Sequence, residues 1–279
     1  MRFVRFGDRG VERPGCIDSD GRIRDLSDHV TSLEGESLDP DSLSRLGSHD
    51  HATLPLVAGG VRLCKPVRRI GKIIGIGPNY SDSAELAGFK INPEPTLFLK
   101  AATAASGPND PIEIPRMANR VDWGVELAVV IGRVAKYVRV EEALRHVAGF
   151  TLANDLTERS FQLQRGGQWT KGKSHDTFAP LGPWLVPPSA INHEDIELWL
   201  DVNGERQQTG HTRQMIFKVP YLISYISRFM RLEPGDVILT GTPAGVGLSY
   251  DPPRFLRPGD RVTLGGTGLG TQDYVCTTL

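Results

Sequence analysis

The stretch V-D-W-G-V-E-L-A-V-V-I-G at 121–132 decides how this chain is read. It sets two acids inside a run of strand-forming apolar residues, where an unpaired charge would be costly to bury. Extended backbone turns alternate side chains to the same face, so Asp122, Gly124 and Glu126 are predicted to share one face of a strand. Two further segments carry chemistry. N-D-L-T-E-R-S-F-Q at 154–162 follows an apolar run and places Asp155 at its end, and G-K-S-H-D-T-F at 172–178 brings Lys173. Carboxylates and a lysine converging from separate segments suit a hard-cation site or an oxyanion site, and a buried salt-bridge network is the plain alternative.

Outward from this stretch, 279 residues with 39% hydrophobic and 23% charged content describe an ordinary globular protein. A formal net charge of −1 gives no field to attract nucleic acid. The start M-R-F-V-R-F-G-D lacks an apolar signal core and no run reaches membrane-spanning length, so no membrane partner and a cytoplasmic location are expected. Cys16, Cys64 and Cys276 are far apart and form no C-x-x-C pattern, which predicts free thiols.

Residues 1–65 read as a small β-rich N-terminal subdomain, with a strand at R-F-V-R-F, a hairpin turning at S-D-G (19–21) and a short helix plus loop within 32–46. Residues 66–279 read as the catalytic domain. Lys72–Ile76 is strand-like and runs into Gly77-Pro78-Asn79-Tyr80; Tyr80 stands where a dinucleotide fingerprint needs its third glycine, so that reading fails. A capped helix is predicted over 81–87, strands over 96–100, 196–202, 237–240 and 261–264, and helices over 141–146 and 221–231. Asp155 fits as an N-cap with Glu158 three residues on. Ser174-His175-Asp176 has triad residue types, but sequence neighbours cannot face one another as a triad and no nucleophile elbow surrounds the serine. Gly241–Gly247 lacks the Lys-Ser/Thr of a P-loop, and its glycines would let backbone amides approach an anionic ligand.

The order of G-P-N-Y (77–80), E-P-T-L-F-L-K (94–100), V-D-W-G-V-E (121–126), N-D-L-T-E-R (154–159), G-K-S-H-D-T-F (172–178), V-N-G-E (202–205), M-I-F (215–217) and G-D-V-I-L-T-G-T-P-A-G-V-G (235–247) resembles the fumarylacetoacetate hydrolase family from about Lys72 onward. The resemblance implies an α+β fold, a mixed β-roll catalytic domain with a small N-terminal subdomain, and a homodimer. It implies Mg²⁺ or Mn²⁺ held by two glutamates of a D-x-E-x-E strand and a later aspartate. The matching positions are Gly124, Glu126 and Asp155, so one ligand is missing, with Asp122 or Glu158 as substitutes. It implies that Lys173 stabilises an enolate, that Arg159 and Gln162 hold the substrate's acid or keto oxygens, and that Tyr80 and Thr242 line the site. The family's water-activating pair, N-Y-x-x-H-x-x-E, falls on Ser83 and Leu86, and Glu85 is one residue out of step, about 100° around a helix. Gly265 replaces a commonly acidic residue, which predicts a reshaped pocket wall.

The function implied is hydrolytic C–C cleavage of a small 1,3-dicarbonyl or 2-oxo acid of the acylpyruvate kind. The alternatives are a metal-free or metal-weak lyase or isomerase (decarboxylation, dehydration, tautomerisation, cyclisation) and a non-catalytic homologue. Serine with no base beside it activates water poorly, and a metal lost removes Lewis-acid help, so both departures weigh toward reactions without activated water.

Overall fold

The continuous apolar run after Glu126 becomes the centre of the molecule. In a computed structural model that describes residues 1–81 and 92–279, the strands in chain order are β1 (Arg2–Phe6), β2 (Arg13–Ile17), β3 (Ile23–Asp25), β4 (Leu63–Cys64), β5 (Ile73–Ile76), β6 (Leu97–Lys100), β7 (Ala105–Ser106), β8 (Ile112–Ile114), β9 (Val121–Asp122) and β10 (Val125–Ile131). They continue with β11 (Val147–Asn154), β12 (Thr157–Glu158), β13 (Ala179–Val186), β14 (Glu197–Val202), β15 (Glu205–His211), β16 (Val237–Leu239), β17 (Arg261–Gly266) and β18 (Gly270–Thr278). The described α-helices are α1 (Pro40–Gly47), α2 (Arg159–Leu163), α3 (Thr170–Lys173) and α4 (Val219–Phe229).

A large mixed sheet runs β3-β2-β1-β13-β11-β10-β16-β5-β6, and a second runs β15-β14-β17-β18-β8. The architecture is α+β, as the sequence implies. Every residue of β10 and β11 is buried, which is why their sequences are largely apolar rather than alternating. Residues 1–65 are not set apart by a break in pairing: β1 is hydrogen-bonded to β13, with Phe3 opposite Leu185, and so carries β2 and β3 onto the edge of the main sheet. In α4, Val219, Leu222, Ile223 and Ile226 form the buried face, at the spacing a helix needs to cover a sheet. No described helix is long and apolar enough to cross a membrane.

Two local expectations change. The strand expected through Asp122, Gly124 and Glu126 is interrupted at 123–124. The Asp122 carboxylate captures the Trp123 N–H (2.8 Å) and the Gly124 N–H turns to Asn154 Oδ1 (2.8 Å), which removes both amides from the sheet ladder. The N-cap of α2 is Glu158 rather than Asp155: its Oε1 accepts from Ser160 N at 3.0 Å. The residues 82–91, which include Ser83, Glu85, Leu86 and most of the helix expected over 81–87, lie outside the described residues.

Candidate active site

Four elements bring the site together. Glu126 is the second residue of central strand β10, Asp155 follows the end of the adjacent β11, Lys100 ends β6, and Lys173 ends α3. All are enclosed: Lys100 is 3% exposed, Glu126 1%, Asp155 6% and Lys173 5%. The Lys100 ammonium donates to Asp155 Oδ1 at 2.6 Å and to the Leu156 carbonyl at 3.0 Å. The Lys173 ammonium donates to the other oxygen of Asp155. One carboxylate therefore bridges two buried lysines.

Burial shapes the charges. It pushes the Lys100 ammonium down to about 8, against the opposing pull of Asp155, and it also lowers Lys173. Burial alone would raise Asp155, but the two lysines outweigh it and hold the carboxyl below its usual range. Glu126 takes part in no such ion pair among the described residues. Burial, with the Asp155 charge adding to it, outweighs the pull of Lys173, the Gly241 amide and Lys100 and lifts its carboxyl well above the ordinary range.

A second group adjoins the first, since Arg159 bears electrostatically on Lys173. Arg159 donates from Nε to Asp122 Oδ2 (2.8 Å) and from Nη1 to Gln162 Oε1 (3.0 Å). The structure thus joins Arg159 and Gln162 to each other. Tyr80 is buried and bridged to Met215 across an isolated pair. Thr242 donates to the Val125 carbonyl (3.0 Å) and accepts from Gln208 Nε2 (2.8 Å).

The glycine-rich segment does present amides to anions, but the anions belong to the protein. Gly241 N–H donates to Glu126 Oε2 (2.8 Å), while Gly247 and Leu248 N–H donate to the two oxygens of Asp122 (2.6 and 3.0 Å). Gly241 holds φ at +96° and a Cβ there would lie 2.8 Å from Asn79 Cβ, so only glycine fits.

Lys100 was not singled out by the sequence. Its signal was parity: in T-L-F-L-K the lysine shares a face with Phe98, and both side chains turn inward. The Phe98 ring lies across Gly75, where a Cβ would sit 2.0 Å from the ring, and its face receives the Lys173 ammonium 4.5 Å from the centroid. Ser174 accepts from the Ala101 N–H (2.9 Å), and His175 packs against the Phe161 and Phe178 rings. Gly265, expected in a pocket wall, lies against Trp199; the groove of about 570 Å³ there, lined by Arg2, Trp184, Trp199 and Arg206, includes none of the residues above.

The described residues do not fit a divalent cation. Glu126 and Asp155 match two of the implied ligands, but both Asp155 oxygens accept from ammonium groups. Asp122, the substitute expected from sequence, accepts four hydrogen bonds: from Trp123 and Gly247 on Oδ1, and from Leu248 and Arg159 on Oδ2. A carboxylate has about four acceptor sites, so Asp122 is saturated as it stands. Glu158 is equally committed, to Ser160 N and Oγ and to the Asn119 and Arg120 amides. Among the described residues, no three His, Cys, Asp or Glu side chains converge in a way that could hold a metal.

Comparison with known proteins places this geometry among relatives. A profile of the C-terminal domain of fumarylacetoacetate (FAA) hydrolase matches residues 72–275. A Burkholderia ambifaria protein, whose name provisionally makes it a hydrolase and goes no further, is 50% identical over 274 residues, 98% of this chain and 97% of that one. A fumarylacetoacetate hydrolase from psychrophilic Exiguobacterium antarcticum superposes with a TM-score of 0.88 at 33% identity, covering 100% of both chains. The 5-carboxymethyl-2-hydroxymuconate delta-isomerase of Mycobacterium smegmatis does so with 0.79 at 33%, covering 100% of this chain and 99% of that one.

Proposed function

The chain belongs to the fumarylacetoacetate hydrolase family of enzymes, and from that premise we propose that it acts on a small 2-oxo acid of the 1,3-dicarbonyl, acylpyruvate-like kind by way of its enolate. The observation that carries this reading is the buried Lys100–Asp155–Lys173 bridge. Two ammonium groups on one carboxylate leave net positive charge in a place shielded from water. An enolate oxygen developing beside Lys173 meets that charge at low dielectric, where a fixed cation stabilises it far more than in bulk water. Arg159, oriented by Asp122 and Gln162, supplies a cation for the acid end of the substrate. Glu126, whose carboxyl burial lifts well above the ordinary range, can give a proton to the carbon skeleton and, as the carboxylate left behind, take up the one the substrate loses.

Charge stabilisation with a proton donor, and no base-activated water, best supports relocation of a proton within the enolate: tautomerisation or double-bond isomerisation. The isomerase title of the Mycobacterium smegmatis relative agrees with it. Hydrolytic C–C cleavage is the second reading, favoured by the hydrolase names of the Burkholderia and Exiguobacterium relatives. It needs an activated water, and Ser83 and Leu86 bring no base for one. As with the family resemblance, we propose a homodimer, to be measured by light scattering.

An acylpyruvate incubated with the protein in D₂O and followed by proton NMR separates the readings. Isomerase chemistry gives protein-dependent deuterium exchange at the carbon between the carbonyls with the skeleton intact; hydrolysis gives two acids. Lys173→Met should lower either rate by about 10²–10³. An unchanged rate in that variant would remove Lys173 from the enolate role.

A further inference from the structure

We propose that this chain has given its divalent-cation position over to protein packing, and that the Lys100–Asp155–Lys173 bridge supplies the two positive charges a divalent ion would bring. What the charge does rests on the enolate reading above; the loss of the ion rests on packing alone.

The packing argument begins at Gly124. A Cβ built on it would meet Thr242 Oγ1 at 3.2 Å, Cβ at 3.3 Å and Cγ2 at 3.4 Å, so any side chain begun at this position is crowded by the threonine from its first carbon. Thr242 is fastened there. Its hydroxyl donates to the Val125 carbonyl, and Gln208 donates to it from Nε2 while accepting the Val125 N–H on Oε1 at 2.9 Å. Gln208 Nε2 also reaches the Pro243 carbonyl at 2.9 Å. Both polar groups of the residue after Gly124 are thus used to hold the side chain that fills the space. Restoring an acid at 124 would mean shifting a threonine anchored on two sides.

Among the described residues, the remaining acids do not make up the deficit. Asp155 has an ammonium on each oxygen, and Asp122 and Glu158 each accept four hydrogen bonds from the protein. Glu126 is left, with one oxygen on the Gly241 amide. A single carboxyl is the least that holds a hard cation at all, with water and substrate oxygens left to supply every other position, so the site should bind weakly. The charge balance points the same way: Lys100 and Lys173 together carry the charge of one divalent ion, and they meet the same aspartate.

The test is a titration of Mn²⁺ alone into chelator-stripped protein, read by the electron paramagnetic resonance signal of free Mn²⁺. It is run on the native chain, on Gly124→Glu, and on Gly124→Glu with Thr242→Ala. The native chain should leave the ion free up to about 1 mM. The double variant should bind at least about 10-fold more tightly, and more tightly than Gly124→Glu alone, because it has both the acid and the room. Deuterium exchange by the native chain should be equal with chelator or with Mn²⁺. Stoichiometric Mn²⁺ binding by the native chain overturns the proposal, even if neither variant folds. Exchange that needs Mn²⁺ overturns it as well. No exchange under any condition, with Mn²⁺ still unbound, would reject the enolate reading and leave this inference standing.

Discussion

An Asp155→Asn variant keeps the outline of the side chain and deletes the single negative charge between two buried ammonium groups. Removing one partner of a buried ion pair costs about 3–5 kcal/mol when the other must stay charged. Here two partners are left, and like charges roughly 5 Å apart at an effective dielectric of about 20 repel by about 3 kcal/mol more. The lysines have an escape, which makes the cost depend on pH. Native Lys100 titrates at about 8 with Asp155 supporting its charge; without that support its folded value drops further. Between the variant's lowered value and about 8, the folded variant binds fewer protons at Lys100 than the folded native chain, while the unfolded chains bind the same number. Variant stability therefore climbs with pH faster than native stability across that window, and the gap between them narrows. Urea unfolding of both proteins should give a gap of at least about 3 kcal/mol at pH 6. By pH 8.5 it should shrink by about 1.4 kcal/mol for each unit of lost pKa. Lys100→Met, which leaves Asp155 paired with Lys173, should cost less, about 1–3 kcal/mol. A gap that is equal at both pH values, or below about 1 kcal/mol at pH 6, would refute the bridge as the charge centre of the fold.

The rate of enolate turnover should fall as pH rises through about 8, because Lys100 is charged below that value and neutral above it; a flat profile from pH 6 to 10 would contradict this. Asp122→Ala strips the acceptor from Gly247, Leu248 and Trp123 amides and from Arg159, which is 15% exposed on its side chain. It should cost about 3 kcal/mol in unfolding and raise KM for the oxo acid more than it lowers kcat. Gly75→Ala drives a methyl into the Phe98 ring and should cost about 1–3 kcal/mol. It should also weaken turnover by moving the ring off Lys173; unchanged stability would mean the ring has room to move.

Much of the site was written in residue order. Glu126, Asp155, Arg159 and Lys173 stand in short segments whose neighbours are apolar, and acids in such surroundings need partners, which flags them before any coordinates. What stayed hidden was who partners whom. Asp122 and Glu126 are four residues apart in near-extended chain, and on spacing alone they should act together. A self-capping hydrogen bond at Trp123 breaks the strand and sends Asp122 to fasten the 247–248 turn instead. That choice is made across 125 residues of chain, beyond any local rule. The glycine-rich segment was legible as an amide donor, yet its acceptors were Glu126 and Asp122. Lys100 was passed over because a terminal lysine on a strand ordinarily reaches water; only the convergence of Asp155 and the Leu156 carbonyl explains why this one does not. The α+β class came with the family resemblance, and the buried runs 125–131 and 147–154 pair as its inner strands.

The pairing of β1 with β13 has a practical corollary for protein production. Trimming the chain to residues 66–279 would look conservative, since every site residue is kept. It would also uncover β13 around Leu185, the end of A-P-L-G-P-W-L-V that β7 does not cover, in a strand that is almost wholly apolar. An uncovered apolar strand flank recruits other strands. The trimmed protein should therefore self-associate and be recovered largely in inclusion bodies, with the first residues acting as a built-in solubility cover.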